Sequence, residues 1–349
     1  MNKVIKREFA AFDAKDCAEK LKNIAKENKK TMIIAHRNPD GDAVGSAFAL
    51  KLILESLGTQ AFCACTGNIP DYLRFLLRGQ EDIKFSENCK YDTIITVDTA
   101  SPGQMGDLEH LSDKVYLAID HHESCTPYCD EYRDKDASAA GEMVFNIYEY
   151  LVENKDISEN ADICRLIYAA ISADSGSFMY SNTTEKTHIT ASKLIRVINN
   201  DKNGINSAEI SRLLHNSKSL ANLKAQMKSI EALTVCDDGK IAYILLSKEI
   251  TECDGLKDED FASSVDIPRS VDGVLLAFVM KECKNPNNNG KKFYRLSTRS
   301  SCEISVAEIC KKFGGGGHAK AAGGSIEADS EKEALEAVLC AFRDALKGN

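Results

Sequence analysis

The stretch Ile33-Ile34-Ala35-His36-Arg37-Asn38-Pro39-Asp40-Gly41-Asp42-Ala43-Val44-Gly45 decides the fold of the first half of this 349-residue chain. An apolar run ends at His36, a turn containing proline and glycine follows, and a helical pattern begins near Asp42. This order predicts a strand, a loop and a helix N-terminus, which is where ligands bind at the edge of an α/β sheet. His36, Asp40 and Asp42 are suitable ligands for a divalent cation, although Asp42 could instead simply cap the helix.

Two further buried-strand patterns also end in side chains that can bind metal ions. The run at 92–97 is followed by Asp98, and the run at 115–119 is followed by the triplet Asp120-His121-His122. The carboxyl ends of parallel strands meet at one edge of a sheet, so we expect these side chains to lie close together. Because crowded carboxylates repel one another and desolvate poorly, a structural role alone does not explain acids at such an edge.

The periodicity of the whole chain predicts an α/β fold, in which an N-terminal parallel-sheet domain is joined by a helical linker to a smaller α+β domain. The predicted domains are residues 1–185, 186–232 and 233–349. Helices are predicted at about 11–29, 42–57, 71–77, 138–154, 160–174, 305–312 and 330–347, with a helical pattern throughout 184–233. Strands are predicted at 31–36, 59–65, 92–98, 115–120, 241–246, 271–280 and 293–298.

Charge limits the kinds of partner that the chain can bind. The net charge is −9, which argues against binding of long duplex nucleic acid, because that usually requires a broad basic surface. Between Lys281 and Lys320 the sign reverses, with nine lysines and arginines against three glutamates. A confined basic patch of this kind suits a small anionic ligand.

The sequence also predicts a compartment. The apolar run at 274–280 is far too short to span a bilayer, and the first residues lack the apolar core of a signal peptide. The thirteen cysteines show no disulfide framework spacing, so we expect reduced thiols. A cytoplasmic protein with no membrane partner is therefore expected.

The acids and histidines are too numerous for one ion. Mixed carboxylate and imidazole ligation suits Mn²⁺, Mg²⁺ or Fe²⁺ better than structural zinc. Two ions about 3.5–4 Å apart could share a bridging carboxylate and a bridging water, lower the pKa of that water and screen the charge of a phosphate. The residues concerned are His36, Asp40, Asp42, Asp98, Asp120, His121, His122 and Asp174.

A glycine run in the second domain indicates an anion site. Residues 314–317 are four consecutive glycines, and His318 follows them directly. Consecutive glycines let the backbone approach a ligand closely and direct N–H groups towards an anion. Arg299 and Ser300 lie a short way upstream at the end of a predicted strand.

Taken in order, these motifs resemble the DHH phosphoesterase family, which is named for the triplet present here at 120–122. The resemblance covers nearly the whole chain. It includes His36-x-x-x-Asp40-x-Asp42, Asp98, Asp174-Ser-Gly and, at 314–318, the mark of the C-terminal domain called DHHA1. The length and the two-domain layout are similar to those of the small bacterial oligoribonucleases of the family that also dephosphorylate 3′-phosphoadenosine 5′-phosphate (pAp).

The resemblance implies roles for individual residues. His36, Asp40 and Asp98 would bind one cation, and Asp98 would be shared with a second cation bound by Asp42, His121 and Asp174. The catalytic residues would be Asp98, Asp120 and His122. His122 would neutralise phosphate or assist the leaving oxygen, and Asp120 would orient the histidines. The substrate-binding residues would be Arg299, Ser300, Gly315, Gly316, Gly317 and His318.

The expected function is hydrolysis of a phosphoester by attack of a metal-bridging hydroxide, with two divalent ions as cofactors: manganese, or else magnesium, cobalt or iron. The expected substrates are short single-stranded RNA or DNA oligonucleotides and the mononucleotide bisphosphate pAp, and the protein could form a homodimer. The first alternative is a phosphodiesterase for cyclic dinucleotides such as cyclic di-AMP. Less favoured alternatives are a manganese inorganic pyrophosphatase, a long-strand exonuclease and a nucleotide-sensing module without turnover.

Overall fold

The protein folds as two compact units that divide between Ser217 and Lys218. The structure is a computed structural model that describes residues 9–77, 90–287 and 290–348, except for the side chain of His318. The division falls inside the segment 186–232 that the sequence suggests as a linker, and the bounds 1–185, 186–232 and 233–349 stay a prediction.

The first unit is built on a five-stranded sheet in the order β2-β1-β3-β4-β5. All neighbouring strands in it are parallel, as the alternation of strands and helices predicts. The three strands β1, β3 and β4, which precede the predicted ligands, are therefore adjacent. The strands are β1 (Thr31–Ile34), β2 (Ala61–Ala64), β3 (Thr93–Val97), β4 (Val115–Asp120) and β5 (Glu131–Arg133).

The described part of the first unit also contains six α-helices, two 3₁₀ segments and a π-helical turn. They surround a core in which β1, β2 and β3 are buried along their whole length, as expected for a parallel sheet. The α-helices are α1 (Ala14–Lys26), α2 (Gly41–Ser56), α3 (Ala140–Glu153), α4 (Ala161–Asp174), α5 (Glu185–Asn200) and α6 (Ser207–Ser211). Two 3₁₀ segments cover Asp71–Leu76 and Pro102–Lys114, and a π-helical turn covers Arg212–Asn216.

Small residues let α2, α3 and α4 approach one another closely. A Cβ atom at Gly45 of α2 would lie 2.5 Å from the carbonyl oxygen of Leu166 and 2.9 Å from Cβ of Ala170, both on α4. A Cβ atom at Gly141 of α3 would lie 2.5 Å from the same alanine methyl. Because these contacts include backbone, the helices could only accept larger side chains by moving apart. The close crossing brings Asp42 at the start of α2 near Asp174 at the end of α4.

The second unit contains a six-stranded mixed sheet in the order β10-β11-β9-β8-β7-β6. Only β7 and β8 pair in parallel; the other neighbours are antiparallel. The strands are β6 (Leu233–Cys236), β7 (Ile241–Leu246), β8 (Leu276–Cys283), β9 (Lys292–Ser300), β10 (Gly316–His318) and β11 (Ala321–Ala328). The helices are α7 (Leu220–Glu231), α8 (Lys248–Thr251), α9 (Asp266–Arg269), α10 (Val306–Lys311) and α11 (Glu331–Lys347), with 3₁₀ turns at Cys253–Gly255 and Asp258–Phe261.

The predicted fold class is confirmed, with local differences. The short strand β5 and the strand β11 do not follow from the sequence pattern, and β8 begins at Leu276 rather than near residue 271. The helical pattern at 184–233 contains three separate α-helices and a π-helical turn. The twelve cysteines in the described part of the chain are all free thiols. Among the described residues, no helix combines the length and apolarity needed to cross a bilayer.

The close packing of α2 on α4 gives a first prediction. Replacing Gly45 by Ala should destabilise the first unit by about 1–3 kcal/mol, because the overpacking outweighs the gain of about 1 kcal/mol in helix propensity. Gly103→Ala is the matched control, since a Cβ atom there meets no atom within 4 Å. Thermal unfolding followed by circular dichroism measures both variants. Equal melting temperatures for the two variants would contradict the packing account.

Candidate metal centre

The predicted ligands of the first unit converge at the carboxyl edge of its sheet. His36 follows β1, Asp98 follows β3, and β4 ends at Asp120, which places His121 and His122 next in the chain. The starts and ends of helices supply the remaining acids, with Asp40 and Asp42 at the start of α2 and Asp174 at the last residue of α4. The parallel topology therefore brings together residues that lie more than a hundred positions apart.

Asp98 occupies the centre of this cluster. Its Oδ2 atom lies 3.3 Å from Nε2 of His36, and its Oδ1 atom lies 3.7 Å from Nε2 of His121 and 3.6 Å from Nδ1 of His122. The residue is 2% exposed, and its backbone has φ of +54°, a conformation that favours Asn, Asp and Gly. Although Oδ1 is buried, it has no hydrogen-bond partner among the described residues. A buried carboxylate oxygen in this state is suited to a cation.

Three groups of side chains offer ligand atoms that all lie within 4.8 Å of one another. Atoms bound to one ion at about 2.1 Å are about 3.0–3.4 Å apart at neighbouring positions. His121 Nε2 lies 3.4 Å from Oδ2 of Asp174, within this range, and 3.6 Å from Oδ2 of Asp42, slightly beyond it. The donor set thus fits divalent cations with mixed oxygen and nitrogen ligands. The groups are His36, Asp40 and Asp98; Asp42, His121 and Asp174; and Asp98, His121 and His122.

The two aspartates of the loop cap different helices. Asp40 caps α2, since its Oδ1 atom accepts hydrogen bonds from the N–H groups of Asp42 and Ala43 at 3.0 and 3.1 Å. Asp42 accepts from the N–H groups of Ala140 and Gly141 at 2.7 and 2.9 Å, at the N-terminus of α3. The alternative that Asp42 simply caps its own helix is therefore wrong. The positive end of the α3 dipole stabilises its buried carboxylate.

Proton affinities in the cluster reflect its crowding. Burial and the nearby charges of Asp98 and Asp40 raise the pKa of Asp174 to about 8. Burial and the charges of Asp98 and Asp174 likewise raise the pKa of Asp42 well above its ordinary value. Burial opposes protonation of His36, but contacts with Asp40 and Asp98 outweigh this effect and raise its pKa to about 10. Without cations, this cluster therefore holds protons at neutral pH.

A half-buried arginine contacts the triplet at 120–122. Nδ1 of His122 lies 2.7 Å from Oδ1 of Asp120, a fully buried carboxylate. The guanidinium of Arg133 on β5 forms an ion pair of 3.0 Å with Oδ2 of Asp120 and donates a hydrogen bond of 2.7 Å to the carbonyl of His122. The predicted orienting role of Asp120 is consistent with these contacts. Sequence reasoning missed Arg133, because no motif marks it and β5 has only three residues.

The predicted substrate residues lie in the second unit. The register places Arg299 on β9 and His318 on β10 opposite the same residue, Ala321 of β11. Arg299 is partly exposed, and its Nη1 donates to the carbonyl of Thr298 at 3.0 Å.

Two other predicted substrate residues have a polar group that forms a hydrogen bond within the chain. The hydroxyl of Ser300 donates to the carbonyl of Cys302 at 2.9 Å, and Gly315 donates its N–H to the carbonyl of Cys310 at 3.0 Å. Gly316 has open space where a Cβ atom would lie, whereas Gly317 lies against β11 with φ of +139°. Within the glycine run, the open space at Gly316 leaves more room for a ligand than the packed backbone of Gly315.

Comparison with protein families identifies both units. The model of the DHH family N-terminal domain matches residues 30–171, and the model of the DHHA1 domain matches residues 250–347. The chain is 31% identical, over 89% of its length and 94% of the relative, to a probable bifunctional oligoribonuclease and PAP phosphatase NrnA of Streptococcus mutans. It is 22% identical, over 93% of its length but only 50% of the relative, to the cyclic-di-AMP phosphodiesterase PdeA of Listeria monocytogenes.

A solved structure has the same fold. The exopolyphosphatase-related protein of Bacteroides fragilis superposes with a TM-score of 0.80 and covers the whole of this chain, which covers 98% of that protein. The two sequences are 22% identical, so this likeness concerns the fold alone. It shows that the succession of the two units exists in a protein solved by crystallography.

The raised pKa values of Asp42 and Asp174 predict that cation binding releases protons. With a pKa of about 8, Asp174 is mostly protonated at pH 7 in the cation-free protein, and a cation must displace that proton. The affinity for Mn²⁺ should therefore rise steeply between pH 6 and pH 8.5, and it should rise less steeply in a variant that lacks the Asp174 carboxyl. Isothermal titration calorimetry in buffers of different ionisation enthalpy counts the protons released.

The control for this measurement is Asp113→Asn, which removes an exposed acid of the same unit and should release as many protons as the unchanged protein. Asp174→Asn should release fewer. Heats that are independent of the buffer would contradict the prediction.

Proposed function

Because this chain belongs to the DHH family, we propose that it is a metal-dependent phosphoesterase that hydrolyses short oligonucleotides and the 3′-phosphate of pAp. The observation that carries the proposal is the convergence of four carboxylates and three imidazoles from four separate chain segments on one sheet edge. The relative from Streptococcus mutans, which bears the name of an oligoribonuclease and PAP phosphatase, matches along 89% of this chain. The match supports the same substrate class here.

The side chains divide between two cation positions and their support. His36, Asp40 and Asp98 would hold one cation, and Asp42, His121 and Asp174 would hold the other, with Asp98 near both. Divalent cations bound there would lower the pKa of a water molecule and screen the negative charge of the phosphate.

Neighbouring residues fix the orientation of the two histidines of the triplet. The hydrogen bond from Nδ1 of His121 to the carbonyl of Ala137, at 3.2 Å, directs Nε2 towards the three carboxylates. The contact with Asp120 holds the imidazole of His122 in one orientation. It also raises the pKa of His122 to about 9, against the opposing effect of burial. His122 is therefore protonated near neutral pH and can neutralise a phosphate oxygen or give its proton to a leaving oxygen.

The second unit would recognise the nucleotide. Arg299 and His318 lie in one row across β9, β11 and β10, and an arginine there suits a terminal phosphate. The basic patch between Lys281 and Lys320 is confined within a chain of net charge −9, which favours short anionic ligands over long duplexes. Four further points stay predictions: manganese as the cation, the roles of the individual site residues, a cytoplasmic location and a homodimer.

Hydrolysis of cyclic dinucleotides is the second candidate function. The chain is also similar to the cyclic-di-AMP phosphodiesterase of Listeria monocytogenes, but that relative is less similar than the oligoribonuclease and this chain spans only half of it. The DHHA1 domain at 250–347 and the similarity to an oligoribonuclease along 89% of this chain favour a nucleotide substrate over inorganic pyrophosphate.

The central position of Asp98 predicts that Asp98→Asn abolishes most of the activity. Asparagine tolerates the positive φ at this position, so the variant should fold while losing the charge shared by both cation positions. Hydrolysis with Mn²⁺ should fall by about a hundredfold or more, as measured by release of mononucleotide from a dinucleotide substrate. Asp113→Asn, an exposed acid, should keep full activity. Undiminished hydrolysis by Asp98→Asn would show that the centre is misassigned.

A substrate panel tests the proposed specificity. Purified protein with Mn²⁺ should hydrolyse the dinucleotide pApA and pAp at least about tenfold faster than a 24-mer, because the basic surface is confined. Cyclic di-AMP and pyrophosphate complete the panel, with chromatography as the measurement. Faster cleavage of cyclic di-AMP than of pApA would transfer the assignment to the second candidate, and preference for the 24-mer would contradict the proposal.

A further inference from the structure

The segment 137–141, which follows β5 and includes the first two residues of α3, contacts two of the three side chains in one predicted cation group. The carbonyl of Ala137 faces Nδ1 of His121 at 3.2 Å. The N–H groups of Ala140 and Gly141 donate to Asp42 at 2.7 and 2.9 Å. This short segment therefore fixes both the ring orientation of the histidine and the position of the carboxylate.

Asn182 connects the third member of that group, Asp174, to the same segment. Its Nδ2 atom donates to the carbonyl of Ser138 at 2.9 Å and to the carbonyl of Asp174 at 3.1 Å. Two acceptors facing one amide nitrogen determine the orientation of the side chain, since the flipped amide would place an oxygen against both carbonyls. The Oδ1 atom is buried and has no hydrogen-bond partner among the described residues.

The segment is itself held rigidly from the other side. Oε2 of Glu142, a fully buried residue, accepts hydrogen bonds from the Ser138 hydroxyl at 2.7 Å and from the Thr187 hydroxyl at 3.0 Å. The Ser138 carbonyl that Asn182 uses is thus part of a network anchored to both α3 and α5. A fixed acceptor of this kind can hold Asn182, and through it the end of α4.

We propose that Asn182 is a positioning residue, which ties Asp174 to the segment 137–141 and so presets the cation site formed by Asp42, His121 and Asp174. The inference rests on the proposed function, because it assumes that two cations bind. Asn182 supports only one of the two cation positions. The ligands of the other position, His36, Asp40 and Asp98, are positioned by the end of β1, the cap of α2 and the end of β3.

The test is a titration of the full-length protein with Mn²⁺, in which electron paramagnetic resonance measures the free ion. The unchanged protein should bind two ions. Asn182→Ala should lower the affinity for one of the two ions by about ten- to a hundredfold, the usual effect of removing a residue that orients a metal ligand. It should leave the affinity for the other ion within about twofold of the unchanged protein. His36→Ala should lower the affinity for that other ion, and the double variant should lower both affinities.

A second variant and a control separate positioning from folding. Asn182→Asp keeps the volume but sets an oxygen against the two carbonyls, so it should weaken the same ion as Asn182→Ala. Asn146→Ala is the control, because Asn146 lies on α3 and donates to Tyr132 instead; its titration should match that of the unchanged protein. The melting temperatures of both Asn182 variants in EDTA should stay close to that of the control.

The possible results distinguish the two proposals. If the unchanged protein binds no Mn²⁺, the proposed function fails. If it binds two ions and both Asn182 variants do so with unaltered affinities, only the role of Asn182 is overturned. Equal weakening of both ions, or loss of folding in both variants, would also overturn it, because Asn182 would then serve the fold rather than one site.

Discussion

Mutual repulsion among crowded carboxylates is the constraint on which the rest of this structure depends. Asp42, Asp98 and Asp174 lie around one imidazole, that of His121, at 3.4–3.7 Å, and burial and neighbouring carboxylates raise the pKa values of Asp42 and Asp174. Such a group is stable only with protons or cations among its oxygens. The arrangement therefore opposes folding unless the surrounding structure offsets it, and binding of divalent ions removes that penalty.

The repulsion is offset by interactions with parts of the fold that contribute no cation ligand. The N-terminus of α3 receives Asp42, and the guanidinium of Arg133 pairs with Asp120. The contact of α3 with Asp42 depends on close packing, since Gly141 lies against Ala170 of α4. The geometry of the site thus depends on the small residues at the helix crossings. Their close packing sets the distances between the charged side chains and the groups that stabilise them.

Much of the first unit could be predicted from its sequence. Buried strands have a strong pattern, and the residues that follow β1, β3 and β4 are recognisable ligands because their chemistry is unusual for strand ends. The partner of Asp42 could not be predicted, because a cap on a distant helix leaves no local signal. The strand β11 was also missed, since its sequence Ala-Ala-Gly-Gly-Ser-Ile-Glu-Ala has little β-propensity and pairing with β9 and β10 imposes its conformation. Arg133 and Asn182 act through tertiary contacts that only the folded chain reveals.

The central claim is that this sheet edge holds a pair of cations. A crystal structure of the protein grown with Mn²⁺, with data collected at the manganese absorption edge, tests it most directly. The account predicts two anomalous peaks about 3.5–4 Å apart, one within the group of His36, Asp40 and Asp98 and the other within that of Asp42, His121 and Asp174. A single peak, or peaks outside these groups, would contradict it.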